Sequence, residues 1–191
     1  MTSPSLDRLV ELLRALSVRR GTFTLASGAT SDLYVDARQT TLHAEGASLV
    51  GRLIRERLKP SVVGVGGMTL GADPIATAVS VGSWGTDHVV HAFLIRKQPK
   101  GHGTGREVEG MASFHPGDPV CVVEDTTTTG GSLIAAVEAA RGAGLNVVQT
   151  ITVVDREEGA VQALAAHGLT LEALVTRSRL LGDAPRWDPA P

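Results

Sequence analysis

One cysteine, Cys121, stands in a chain of 191 residues. A lone thiol excludes an intrachain disulfide and any cysteine-based zinc site. Long apolar runs are missing as well: none approaches the roughly 18 residues that a membrane helix requires. The segment from Met1 to Leu9 lacks a basic stretch followed by an apolar one, so it does not read as a secretory leader. These absences predict a cytoplasmic protein with no membrane partner. Charge of one sign is also scarce, because 18 Lys+Arg against 20 Asp+Glu give a net charge of -2. A domain whose main task is to hold long nucleic acid usually carries a basic excess, so no nucleic-acid partner is expected. Internal repeats and low-complexity tracts are absent too.

What is present is an ordinary globular composition, 42% apolar and 20% charged, which excludes disorder as the main state. The length predicts one domain, or one domain plus a small subdomain, and a chain of this size buries roughly 70% of its unfolded surface without metal or disulfide staples. Glycine is abundant, at 22 residues, which points to several backbone positions with special demands.

Periodicity predicts a helix over 5–16, with Leu6, Leu9, Val10, Leu13 and Leu16 on one face and Gly21 as its stop. Two short extended pieces follow, Thr22–Leu25 and Leu33–Asp36, joined by a turn at Ser27-Gly28 and Thr30-Ser31. A second helix spans 43–58, with Ala47, Val50 and Ile54 as its stripe and Pro60 beyond its end. The rest alternates. Val62–Val65 leads through Gly66-Gly67 to a helix over 72–81, and Val89–Ile95 reads as a strand. Val120–Val123 leads through a Thr/Gly turn to a helix over 132–141. Val147–Val154, a helix over 157–166, and Leu169–Val175 complete the series. This order predicts an α/β fold, a mostly parallel sheet with helices on both faces. Ligands of such sheets bind beyond the carboxyl ends of the strands. Residues 96–110 and the proline-containing tail 182–191 fall outside the pattern.

The strongest segment runs Val120-Cys121-Val122-Val123-Glu124-Asp125 and then Thr126, Thr127, Thr128, Thr129, Gly130, Gly131 and Ser132. Backbone N–H groups of the Thr/Gly turn and the following helix start converge on one spot, where the helix dipole favours an anion. No Walker lysine is present, so a nucleoside-triphosphatase loop is not indicated. Glu124 and Asp125 stand where sugar hydroxyls or a divalent ion could be held. The plainer alternative is that the threonines only cap the next helix, although four threonines are poor helix formers and exceed what a cap needs.

This segment resembles the phosphoribosyl pyrophosphate signature of type I phosphoribosyltransferases. The resemblance implies that residues 126–132 hold a ribose 5'-phosphate and that Glu124 and Asp125 contact the ribose hydroxyls. Three further segments are similar to orotate phosphoribosyltransferases. Arg96-Lys97-Gln98-Pro99-Lys100-Gly101-His102-Gly103 is a cationic, glycine-bearing loop after a strand, and on charge alone a solvated surface loop is as good a reading. In the family it closes over the pyrophosphate, which makes Lys100, with Arg96, Lys97 and His102, the expected catalytic group. Phe23 to Asp36, with Ser27-Gly28, Tyr34 and Val35, is similar to the family's orotate motif; without that likeness the apolar residues read as hairpin packing. Asp155-Arg156-Glu157-Glu158-Gly159 matches the place of an arginine that grips the substrate's carboxylate, a task suited to a guanidinium. On position alone, a salt bridge from Arg156 to Asp155 or Glu158 is equally apt. Gly64 to Pro74 occupies the place of the family's pyrophosphate loop.

The resemblance covers about residues 21–176. It implies a type I phosphoribosyltransferase-like sheet with a small N-terminal lid: 1–60 as the lid region, 61–181 as the α/β core and 182–191 as an irregular tail. It implies orotate and phosphoribosyl pyrophosphate (PRPP) as substrates, and orotate binding by Thr128, Arg156, Tyr34 and Val35. Mg²⁺ would be carried by PRPP and met by Glu124 and Asp125 through water, in a homodimer with shared active sites. Two positions depart from the pattern: Ala26 and Leu70 stand where many members carry lysine. Two rival readings are a transferase for another base and a regulator that senses PRPP. The lid motif and Arg156 disfavour the first, because a neutral purine offers no carboxylate. The retained cationic loop and the net charge of -2 disfavour the second.

Overall fold

Unbroken apolar runs such as Val120–Val123 fit strands covered on both faces, because successive side chains point to opposite sides of a sheet. The computed structural model, which describes residues 3–24, 30–97 and 107–182, shows this arrangement. Val120 and Val122 pack with Leu133, Ala136 and Val137 on one side. Cys121 and Val123 pack with Leu53, Ile54 and Ile75 on the other.

The chain begins with α1 (Pro4–Leu12), capped by the Ser3 side chain with Pro4 in the first turn. A π-helical turn, Leu13–Ser17, leads into β1 (Val18–Thr24), which pairs antiparallel with β2 (Thr30–Val35). The helix therefore ends before Gly21, which lies within β1 where the register shifts between Arg20 and Phe23. Thr30 and Ser31 belong to β2 rather than to a turn. A four-residue helix, α2 (Arg38–Thr41), and then α3 (Ala44–Arg55) follow. The alternating series comprises β3 (Gly64–Met68), α4 (Ala72–Ser83) and β4 (His91–Ile95). It continues through β5 (Val108–Glu109), β6 (Pro119–Thr127), α5 (Gly131–Gly142) and β7 (Asn146–Asp155). It ends with α6 (Ala160–Ala166), β8 (Leu171–Thr176) and α7 (Arg177–Leu181). Gly66 and Gly67, expected in a turn, lie inside β3.

The six-stranded sheet has the order β5-β4-β3-β6-β7-β8. All its pairings are parallel except β5 with β4, an antiparallel edge within the stretch left outside the sequence pattern. Buried residues of α1, α3 and α4 share one core, and those of α5 and α6 share the other. In the second core Phe93 is fully buried and meets Phe114 edge-on at 5.8 Å; truncating such a ring costs about 3–5 kcal/mol. From β3 the sheet grows one way through β4, and from β6 the other way through β7 and β8. The carboxyl ends of β3 and β6 thus diverge at a topological switch point, where open α/β sheets leave a crevice.

Candidate active site

β6 carries its buried run past Val123 into polar residues, so the acidic pair lies in the strand end rather than in a loop. Glu124 is 6% exposed. Its Oε2 accepts from Ser132 Oγ at 3.0 Å, and its Oε1 accepts from the Asp125 amide at 3.2 Å. Asp125 Oδ1 accepts from the Thr126 amide at 2.6 Å. Burial, with the neighbouring Asp125, pushes the Glu124 carboxyl up to about 7. Burial also raises Asp125. Two adjacent carboxylates out of water favour sharing a proton until a hydroxyl, cation or metal arrives.

The turn after β6 reaches α5 at once. Gly130 precedes the helix with φ 90°, and a Cβ there would lie 3.0 Å from Leu164. The left-handed backbone requires glycine. The turn and helix start, residues 126–133, line a cavity of about 200 Å³ together with Glu124. The buried hydroxyls of Thr126 and Thr127 make no hydrogen bond among the described residues.

A second cavity of about 270 Å³ adjoins it, and Glu124, Thr126 and Ser132 line both. Its other walls come from three strand ends. β3 contributes Met68, Thr69, Leu70 and Gly71, with a cis peptide between Thr69 and Leu70. Gly71 lies so close that a Cβ would stand 2.8 Å from Glu124 Oε1 and 2.9 Å from Asp125 Oδ1. The end of β2 contributes Val35, Asp36 and Arg38, and β4 contributes Lys97. Arg38 Nε donates to Asp36 Oδ1 at 2.8 Å and stands 4.0 Å from Asp125 Oδ2. This bond holds the Asp36 carboxyl below its usual range.

The switch point therefore brings Glu124, Asp125, residues 126–132, Val35 and Lys97 together. Arg96 is turned away, its Nε donating to Glu109 Oε1 at 2.9 Å. Arg156 begins the loop after β7, where its amide donates to Thr127 O at 2.9 Å. Its guanidinium is buried and pairs with Glu158 Oε1 at 2.8 Å, one of the two local partners that position alone suggested. Glu157, next in the loop, has φ 58°. Its amide donates to Asp155 Oδ1 at 2.8 Å, and its carboxylate accepts from the Ser178 amide at 2.7 Å. Tyr34 is 39% exposed. Neither cavity is lined by Tyr34, Arg96 or Arg156 among the described residues. Lys100 and His102 lie outside the described residues, as do Ala26, Ser27 and Gly28. Sequence reasoning missed Arg38 as a wall residue, and it took Asp36 only as the end of the hairpin motif; the signal was a D-x-R spacing directly after a strand.

No family model matches the chain. Among curated proteins, it is 45% identical over 182 residues to the orotate phosphoribosyltransferase of Rhodopseudomonas palustris (strain TIE-1), covering 94% of this chain and 97% of that protein. It is 46% identical over 176 residues to that of Mycobacterium avium (strain 104), covering 92% and 96%. Among solved structures, Mycobacterium tuberculosis H37Rv orotate phosphoribosyltransferase in complex with PRPP aligns with a TM-score of 0.75 at 38% identity, over 94% of this chain and 93% of that one. The same bacterium's enzyme in complex with inorganic phosphate gives a TM-score of 0.79 at 42% identity, over 93% and 99%.

Proposed function

The chain belongs to the orotate phosphoribosyltransferase family, and from that premise we propose that it transfers the phosphoribosyl group of PRPP to orotate, giving orotidine 5'-monophosphate and pyrophosphate in pyrimidine biosynthesis. A bond forms between an orotate ring nitrogen and C1' of the ribose, and that nitrogen gives up its proton to the departing diphosphate or to water. The C1'–oxygen bond breaks, and its electron pair leaves with the diphosphate.

The observation that carries this reading is the order of groups along the switch-point crevice. An anion cradle at residues 126–132 adjoins two carboxylates, and beyond them lies a cavity walled by Lys97 and the 69–71 turn. PRPP has the same order: a 5'-phosphate, a diol and a diphosphate. In this reading the backbone amides of the cradle and the α5 start bind the 5'-phosphate. Glu124 and Asp125 accept hydrogen bonds from the ribose hydroxyls. Lys97, with Lys100, His102 and an Arg96 that exchanges Glu109 for substrate, meets the charge that grows on the diphosphate, which lowers the barrier because the charge is greatest in the transition state. Thr128, Arg156, Tyr34 and Val35 orient orotate, Arg156 exchanging Glu158 for the substrate's carboxylate.

The donor set suits Mg²⁺ carried by the substrate. Among the described residues no three His, Cys, Asp or Glu side chains converge into a metal cage, whereas Asp36, Glu124 and Asp125 line one cavity. A hard cation that keeps several waters and takes substrate phosphate oxygens fits such a wall. When bound it supplies charge neutralisation on the diphosphate; Glu124 and Asp125 would hold it through water.

We further read the protein as a homodimer with shared sites, residues 1–60 acting as lid region over the 61–181 core and 182–191 as a tail. Supporting the dimer, exposed Leu42, Leu70 and Val81 line a groove of about 1080 Å³ between α3 and α4. Contiguous apolar surface of that kind marks an interaction face. A cytoplasmic setting accords with the free, buried Cys121 and with the finding that no described helix is long and apolar enough to cross a membrane.

The test is a spectrophotometric assay with orotate, PRPP and Mg²⁺, with adenine, guanine, hypoxanthine and uracil in parallel. Loss of orotate absorbance only in the complete mixture is expected. Tight PRPP binding with no turnover of any base would overturn the transferase reading in favour of a sensor.

A further inference from the structure

The cavity beside Glu124 and Asp125 is rich in carboxylate, and the cations assigned from sequence balance it poorly. Arg96 is committed to Glu109 and Arg156 to Glu158, so Lys97 alone of the assigned and described cations lines this wall. The second cation on the wall is Arg38, which no motif singled out.

Arg38 has a fixed base and a free end. Ala37 before it is fully buried, as are Thr40 and Thr41 after it. The Thr40 hydroxyl is 2.7 Å from that of Ser17, which ties α2 to the π-helical turn before β1. The side chain itself is 44% exposed. Asp36 orients it by accepting from Nε at 2.8 Å, and Gln39 Nε2 steadies Asp36 from the other oxygen at 3.2 Å. An arginine presents five N–H donors in a rigid fork. Here one is used by Asp36, and no described residue accepts from the two terminal nitrogens.

We propose that Arg38 is a substrate-binding residue that grips the diphosphate of PRPP through its terminal nitrogens, with Asp36 holding Nε in place. This rests on the transfer reaction proposed above. With the 5'-phosphate in the cradle and the ribose hydroxyls on Glu124 and Asp125, the opposite end of the molecule enters the cavity that Arg38 and Lys97 line. A guanidinium can meet phosphate oxygens with two parallel hydrogen bonds, a match an ammonium cannot make. Orientation by Asp36 in the free protein reduces the rotamer entropy lost on binding.

The test compares inhibition by pyrophosphate with inhibition by ribose 5-phosphate, which carries the sugar and its phosphate but no diphosphate. Arg38→Gln is expected to raise the pyrophosphate inhibition constant about tenfold or more, and the KM for PRPP with it. Ribose 5-phosphate inhibition and the KM for orotate should stay within about twofold of the parent. Arg38→Lys should recover part of the loss, keeping the charge without the fork. An unchanged pyrophosphate constant overturns the proposal. So does an equal weakening of ribose 5-phosphate, which would mean that Arg38 acts through Asp125. Should Arg38→Gln fail to fold, Arg38→Met takes its place and Asp36→Asn is read with it; a pyrophosphate constant unmoved in these variants is equally decisive against. Inactivity of the parent enzyme toward orotate and PRPP would instead strike the reaction itself, whatever Arg38 does.

Discussion

At the end of β6 the acidic pair that faces the crevice is held by hydrogen bonds from its own strand and helix start, whereas across the cavity the polar groups stand on long side chains at the rim. Glu124 is held by Ser132 and by the next amide, and the cradle is backbone fixed by a left-handed Gly130. Arg38 and Lys97 are exposed. The difference matches two tasks. A sugar phosphate that does not change charge is best met by preformed dipoles, which cost no reorganisation. A leaving group that gains charge and must then depart is better met by cations able to follow it.

The sharpest way to break the fixed wall is to fill the close approach that Gly71, just before α4, makes to its carboxylates. Gly71→Ala would put a methyl group within 3 Å of both Glu124 and Asp125. Both carboxylates must shift, and displacement of reacting groups by about 1 Å can cost on the order of 100-fold in rate. We expect kcat/KM for PRPP to fall by about that factor while circular dichroism keeps the parent spectrum. Retained activity would show that the acids tolerate movement and that the wall is less rigid than its packing implies.

Arg156 lies between the two extremes, cationic yet buried. Arg156→Ala is expected to raise the KM for orotate about tenfold to thirtyfold, the worth of a charge-assisted pair, with the KM for PRPP nearly unchanged. Steady-state titration of each substrate at saturating partner reads this directly. If both constants rise together, the Glu158 pair is structural and Arg156 does not meet orotate.

The same contrast explains what was legible in the sequence. The buried wall is written in local patterns: an apolar strand, two acids, Thr/Gly residues and a helix, all contiguous from Val120 to Ser132. Its strand continued four residues further than the apolar run, because β7 goes on pairing with Glu124, Thr126 and Thr127; polarity alone hid that. Gly66 and Gly67 read as a turn because glycine usually marks one, yet β3 stays paired with β4 through both. The rim was harder. Arg38 reaches the site only because the β1–β2 hairpin and α2 fold over the switch point, a contact between residues 36–38 and 125 that no local period encodes. The partner of Arg156 was ambiguous between Asp155 and Glu158, and only the tertiary structure chooses Glu158; that of Arg96 is Glu109, on an antiparallel strand the sequence pattern left out.

The smallest effect sharpens the comparison from the side of stability. Burial raises the Glu124 carboxyl from its ordinary 4.5 to about 7, so the folded state binds the proton more tightly than the unfolded state does. Stability from this group is therefore full below pH 4.5, declines as pH rises towards 7, and stays reduced above it. Glu124→Gln cannot ionise and escapes that cost. Allowing for a weakened bond from Ser132, it should be more stable than the parent at pH 8 by roughly 1–2 kcal/mol, a rise of a few degrees in Tm. The advantage should vanish near pH 5, while turnover falls at pH 8, where the parent's Glu124 is ionised and the ribose loses a charged acceptor. Calorimetry of both proteins at the two pH values measures the difference. A variant less stable than the parent by the same margin at both would mean that hydrogen bonding, not buried charge, governs this wall. A gain confined to high pH would mean that the acidic wall is maintained at the expense of the fold, which the exposed rim cations have no need to be.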